Sequence, residues 1–128
     1  MFKLEKTAAI ANILLVDDVP ENLYSLEKML AAKDRKFLKA TLGKEALKLA
    51  FSNDVSLILL DVQMPEMDGL EATKGLRHIL GDGVPIVGIT GYASNKYHTI
   101  GKEAGMNEVI AKPMYIQTLR QIIDKYYN

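Results

Sequence analysis

The stretch Val55-Ser56-Leu57-Ile58-Leu59-Leu60-Asp61-Val62-Gln63-Met64-Pro65-Glu66-Met67-Asp68-Gly69-Leu70 decides the fold. Its first six residues make a near-continuous apolar run of strand length, and a continuous run implies burial on both faces, where an alternating one implies burial on one. Asp61 stands where the run stops, Asp68-Gly69 marks a turn, and Leu70 opens a stretch of helical spacing that reaches Leu80. The same strand, polar exit and helix recur on either side. Apolar runs at Ile13–Val16, Phe37–Ala40, Val55–Leu60, Val84–Ile89 and Glu108–Ala111 alternate with helical stretches at Glu21–Ala32, Lys44–Phe51, Leu70–Leu80, Asn95–Ala104 and Ile116–Tyr126. Strict alternation implies right-handed crossovers and a doubly wound, five-stranded parallel sheet of the α/β class. The punctuation agrees: Pro20 suits a first helical turn, Gly81-Asp82-Gly83 marks a turn, and Gly105 follows a helix as a left-handed cap would. No internal repeat, linker or second domain interrupts the pattern.

The 128 residues are 48% hydrophobic and 25% charged, the balance of an ordinary globular domain that needs no disulfide or structural metal. Sixteen Lys+Arg offset sixteen Asp+Glu, so the broad basic field that draws proteins to nucleic acid or membrane surfaces is missing. Without a single Cys the chain has no disulfide framework, thiolate zinc site or Cys nucleophile, and a reducing compartment, the cytoplasm, is expected. Lys3, Glu5 and Lys6, followed by an apolar stretch from Ala8 to Val16 that Asn12 breaks, form neither a signal peptide nor a membrane span. Function must come from a local site.

In open parallel sheets, ligands bind outside the carboxyl ends of the strands, where strand order reverses. The strand exits here are Asp17-Asp18, Asp61, Thr90 and Lys112-Pro113. If the order is 2-1-3-4-5, the first and third strands are neighbours and three carboxylates, Asp17, Asp18 and Asp61, meet in one crevice. Bare, they repel one another and raise at least one pKa. A hard divalent cation with oxygen ligands relieves that repulsion, and carboxylates with room for waters suit Mg²⁺ better than Zn²⁺. Lys112 and the Thr90 hydroxyl then complete the parts needed to handle a phosphoryl group, with a carboxylate as nucleophile. Asp61 is the nucleophile candidate, because it stands alone at the end of the central strand while Asp17 and Asp18 are adjacent and share the cation.

From about Asn12 to the C-terminus, Leu14-Leu15-Val16-Asp17-Asp18, Leu59 through Gly69, Ile89-Thr90-Gly91, Ala104-Gly105-Met106 and Ala111-Lys112-Pro113, with Gly43-Lys44-Glu45-Ala46-Leu47, resemble the receiver domain of two-component response regulators. Each motif alone is weak, but five in order at strand exits are specific. The resemblance implies a flavodoxin-like (βα)5 fold with sheet order 2-1-3-4-5, a receiver domain over 12–128 and an N-terminal tail over 1–11. It implies that Asp61 accepts a phosphoryl group from the phosphohistidine of a histidine kinase or histidine phosphotransfer protein. Mg²⁺ would lie among Asp18, Asp61 and the backbone carbonyl of Gln63, with Asp17 acting through a metal-bound water. A cis Lys112-Pro113 bond would turn the lysine inward. The output would be a changed protein-binding surface near the fourth helix, fifth strand and fifth helix, read by a downstream protein, with no nucleic acid or membrane partner. The resemblance covers both single-domain regulators and receivers of hybrid sensor kinases. Such a domain is a switch that assists its own phosphorylation and dephosphorylation, not an enzyme.

Plainer roles compete for each residue. Asp17 or Asp18 can cap the helix that Pro20 and Glu21 begin, and Asp18 can do both jobs. Thr90 can be a satisfied strand residue and Lys112 a solvated lysine. His78 and His98 read as surface residues, Met64, Met67 and Met106 as loop or packing residues, and Gly43-Lys44 lacks the upstream glycine of a phosphate loop. An aspartate-nucleophile phosphatase would need a second acidic residue where Gln63 stands, and a phosphorylation-independent interaction module would not need Asp18, Asp61, Thr90 and Lys112 together. One departure stands out: three positions before Lys112, where receivers usually carry Tyr or Phe, this chain has Val109. An aromatic rotamer switch is then unavailable, and the change after Thr90 must pass through Gly91 to Asn95 or another aromatic such as Tyr92 or Tyr115. Tyr92, with Gln63, is expected to flank the path of attacking water.

Overall fold

The computed structural model describes residues 10–64, 67–91, 95–113 and 115–127. Five strands, β1 (Ala11–Val16), β2 (Arg35–Ala40), β3 (Leu57–Asp61), β4 (Ile86–Thr90) and β5 (Glu108–Ala111), alternate with five helices. The helices are α1 (Pro20–Leu30), α2 (Gly43–Ser52), α3 (Gly69–Leu80), α4 (Asn95–Ala104) and α5 (Ile116–Tyr127). The strands form one parallel sheet in the order β2-β1-β3-β4-β5, so β1 and β3 are neighbours. Among the described residues, no helix is long and apolar enough to cross a membrane.

The period of two along each strand explains why the sheet carries helices on both faces. Leu14 and Val16 of β1 and Ile58 and Leu60 of β3 join Ala46, Ala50, Ala72 and Leu76 in one core under α2 and α3. Their alternates, Ile13, Leu15, Leu57 and Leu59, join Leu23, Leu26, Leu119 and Ile122 in a second core under α1 and α5. Each fully buried Leu or Ile contributes about 1.5–3 kcal/mol, and a slip by one residue would exchange the two sets, so the register is strongly fixed.

Strand limits differ from the apolar runs in two ways. β1 and β2 begin two residues earlier than the runs, because Ala11 pairs with Arg35 and Asn12 with Lys36 at the polar end of an edge strand. β3 and β4 start two residues later and end one later, which makes Asp61 and Thr90 the last residues of their strands.

Two local devices set where α3 and β4 start. Asp68 caps α3, its Oδ1 accepting the Glu71 N–H at 2.9 Å, and the Gly69 N–H donates to Val62 O at 2.8 Å. A Cβ on Gly69 would lie 2.5 Å from Asp61 O and 2.7 Å from Val62 Cα, so only glycine lets the helix start against the β3 exit. At the other end of α3, the Arg77 guanidinium donates to Gly105 O, Gly81 O, Val84 O and Asn107 Oδ1 at 2.7–2.9 Å. Asn107 Oδ1 also accepts the Ile86 N–H, so one side chain ties α3 to the entrances of β4 and β5. Gly105 has φ of 116°, the positive-φ backbone expected after a helix.

Gly69→Ala is expected to cost about 1–3 kcal/mol, because the atoms it meets are backbone and cannot rotate away. Gly83→Ala, which faces open space, is the control and should change the urea midpoint little. Equal effects of the two would contradict this account of the α3 start.

Candidate functional site

The carboxyl ends of β1 and β3 bring Asp17, Asp18 and Asp61 together, with one ligand oxygen from each within 4.8 Å of the others. Asp17 and Asp61 are each only 3% exposed, and Asp18 is half-buried. The fifth exit supplies the cation: Lys112 Nζ lies 3.7 Å from Asp61 Oδ1 and 4.0 Å from Asp17 Oδ2. The Lys112-Pro113 peptide is cis.

Asp17 is held from the helix side. Its Oδ1 accepts the Val19 N–H at 2.9 Å and its Oδ2 accepts the Asn22 side-chain amide at 3.1 Å. The cap of α1 is Val19, with no capping side chain, so Asp17, not Asp18, is tied to the start of the helix. This corrects the expectation that Asp18 could do both jobs. Asn22 was not legible as a site residue: the only cue is a polar residue in the first turn of α1, five positions after Asp17.

The third strand exit continues into Gln63, whose backbone N–H reaches Asp61 Oδ1 at 3.3 Å. Its side chain extends to the fourth exit. Gln63 Nε2 donates to Thr90 Oγ1 at 3.0 Å, and Gln63 Oε1 accepts the Gly91 N–H at 3.2 Å. Sequence reading places the Gln63 backbone near the metal and the residue beside the path of attacking water, but nothing in a one-dimensional pattern says that its amide reaches Thr90 and Gly91. Thr90 is buried and Gly91 exposed, with open space around the position a Cβ would take. All the exits singled out in sequence therefore meet in one crevice, lined by Asp17, Asp18, Val19, Asn22, Asp61, Gln63, Gly91 and Lys112. His78 and His98 belong to α3 and α4 and contribute nothing to it.

Charge in this crevice is unbalanced, with three carboxylates facing one lysine. The Asp61 carboxyl is pushed up to about 6, first by burial and then by Asp17, with a smaller push from Asp18; Lys112 and the Gln63 N–H pull it back only in part. Among the described residues the cluster is three carboxylates with no nitrogen or sulfur ligand, which fits a hard divalent cation such as Mg²⁺.

Residues 13–124 match the response regulator receiver domain family. This chain belongs to that family. The receiver domain is similar to the sensor histidine kinase RcsC of Salmonella typhimurium, 34% identical over 89% of this chain and only 12% of the kinase's length. It is similar also to Protein PilH of Pseudomonas aeruginosa, 30% identical over 90% of this chain and 96% of PilH. The receiver domain of the sensor histidine kinase PA1611 of Pseudomonas aeruginosa, which has a magnesium ion coordinated in its active site cleft, aligns with a TM-score of 0.83. That match is 32% identical and covers 93% of this chain and 98% of the other. Receiver domains are phosphoryl-accepting signalling switches of two-component systems, not conventional enzymes.

Against that family pattern, Val109 of β5 is buried, and a Cβ added to Gly101 of α4 would lie 2.5 Å from its Cγ2. Helix α4 therefore packs closely, through Gly101, on a small β-branched side chain. Tyr115 is 62% exposed. Tyr92, and the Gly91 to Asn95 loop from 92 to 94, lie outside the described residues, as do Pro65 and Glu66 and the first nine residues of the tail.

The raised Asp61 pKa has a definite sign for stability. Ionising Asp61 costs the folded, metal-free domain more than the unfolded chain, whose carboxyl titrates near 3.8, so the penalty is full above pH about 6 and disappears as pH falls toward 4. Asp61→Asn is therefore expected to stabilise the domain in EDTA at neutral pH, with the gain fading as pH drops through about 6. Urea unfolding across that range checks it; an Asn variant less stable at neutral pH, or a pH-independent difference, would contradict it.

Proposed function

We propose that Asp61 is the phosphoacceptor of this receiver domain, and that it takes its phosphoryl group from a phosphohistidine. The observation that carries the reading is Asp61 at the end of the central strand, with Lys112 Nζ 3.7 Å away and Asp17 and Asp18 clustered beside it. In the transfer, an Asp61 carboxylate oxygen attacks phosphorus and the P–N bond to the imidazole breaks. The departing nitrogen keeps that electron pair and takes up a proton. Lys112 offsets the negative charge of the phosphoryl oxygens, the buried Thr90 hydroxyl donates a hydrogen bond, and the exposed Gly91 N–H supplies a second donor. Asp18, Asp61 and the Gln63 carbonyl would hold Mg²⁺, with Asp17 acting through a bound water. The cation, when bound, supplies the positive charge that lets a phosphoryl dianion enter an acidic crevice. The same groups serve hydrolysis, a separate step in which water attacks phosphorus and gives up a proton while the P–O bond to Asp61 breaks. The carboxylate and inorganic phosphate are released, which is how such a switch assists its own dephosphorylation.

The donor is a protein, a histidine kinase or histidine phosphotransfer protein. A groove beside the crevice, lined by Asn22, Ser25, Leu26, Met29, Lys112 and Pro113, supports this, as do exposed Val19 and Tyr115. The output is a changed protein-binding surface around α4, β5 and α5, read by a downstream protein in the cytoplasm.

Intact-mass analysis after exposure to acetyl phosphate and Mg²⁺ tests the assignment. One phosphoryl group is expected on the wild type, none on Asp61→Ala, and far less on the wild type in EDTA. Undiminished labelling of Asp61→Ala would remove Asp61 from the role.

A further inference from the structure

The two donors assigned to the phosphoryl oxygens are already occupied, and by the same side chain. Gln63 Oε1 accepts the Gly91 N–H at 3.2 Å. The Thr90 hydroxyl oxygen lies 3.0 Å from Gln63 Nε2, from which it accepts, and 3.2 Å from Gln63 Oε1, to which it donates. The Gln63 amide therefore presents one oxygen to two neighbouring donors, which is what a phosphoryl oxygen on Asp61 would do. It is held there at its base as well, since the Gln63 N–H bonds Asp61 Oδ1.

We propose that the Gln63 side-chain amide is an intramolecular stand-in for the phosphoryl group, a latch over Thr90 and Gly91 that must swing out before Asp61 can hold one. The proposal rests on the phosphoacceptor reading above. Its chemistry is competition for donors: neither hydrogen can serve the amide and a phosphoryl oxygen at full strength together. While the latch is closed, the amide is a partner for the hydroxyl of the buried Thr90, at the cost of affinity for the phosphoryl group.

The structure also gives the latch somewhere to go. Gln63 borders a second cleft, between α3 and α4, lined with Met64, Asp68, Lys96 and Tyr97. Rotation about the side-chain torsions moves the amide from the acidic crevice to this cleft without disturbing the backbone N–H and carbonyl beside Asp61. Opening would then change the surface between α3 and α4, which suits a domain whose α4–β5 seam is closed around Val109.

The test uses the whole chain with beryllofluoride, a mimic of the phosphoryl group that does not hydrolyse, titrated at saturating Mg²⁺ and followed by NMR. Gln63→Met keeps the length of the side chain without its amide, and Gln63→Ala removes both. Each variant is expected to bind beryllofluoride roughly three- to tenfold more tightly than wild type, the scale of one or two competing hydrogen bonds. Mg²⁺ affinity should stay within about twofold, because the backbone carbonyl remains. In ligand-free protein, the Gly91 amide should exchange with solvent faster in both variants. Equal or weaker beryllofluoride binding by both, or unchanged Gly91 exchange, would overturn the latch and leave the phosphoacceptor assignment standing. A wild type that bound no beryllofluoride and took no phosphoryl group would remove that assignment, and the latch with it.

Discussion

Everything in this domain is arranged around a repulsion that the polypeptide does not resolve by itself. Two carboxylates almost wholly removed from solvent and a third half-buried share a crevice with one lysine, whose nitrogen is 3.7 and 4.0 Å from its two partners. Burial and neighbouring negative charge both disfavour ionisation, and Asp61, which feels both, is the group that yields. A site left short of positive charge is primed for a divalent cation. On the proposed reading, the same shortage means that an incoming phosphoryl group, itself an anion, needs that cation and Lys112 together.

Holding like charges together requires a frame that cannot relax them apart. The sheet supplies it, because each strand is pinned by apolar side chains on both faces and its register cannot shift without exchanging two cores. Adjacency of β1 and β3 turns distance in sequence into proximity in space. Gly69 lets α3 press against the backbone of Asp61 and Val62, and Arg77 fixes the far end of that helix to the entrances of β4 and β5. Stability in the core is thus what makes electrostatic strain possible at the rim.

Much of this was legible in the sequence, for a physical reason. Apolar runs such as Val55–Leu60 and Val84–Ile89 need burial on both faces, which only helices on each side of a parallel sheet provide, and charged residues at their ends mark the strand exits. Asp17, Asp18, Asp61, Thr90 and Lys112 could therefore be placed at one edge before any coordinates. Strand order follows from the family resemblance, not from periodicity. What stayed hidden are contacts set by side-chain reach: Asn22 on Asp17, the four hydrogen bonds of Arg77, and the Gln63 amide laid across Thr90 and Gly91. No spacing rule encodes these, because each depends on a torsion chosen after the strands have met. Polar strand ends such as Arg35-Lys36 were missed for a simpler reason: an edge strand buries little there and carries no apolar signal.

The central claim is that Asp61 and a divalent cation answer one another, so cation and proton must compete for the same carboxylate. Calorimetric titration of the wild type with Mg²⁺ across the range around pH 6 tests this most directly. Mg²⁺ affinity is expected to be steady above about 7 and to weaken as pH falls through about 6, approaching about tenfold per pH unit, with that step absent in Asp61→Asn. Wild-type affinity that does not change across this range, or an equal pH dependence in Asp61→Asn, would contradict the account.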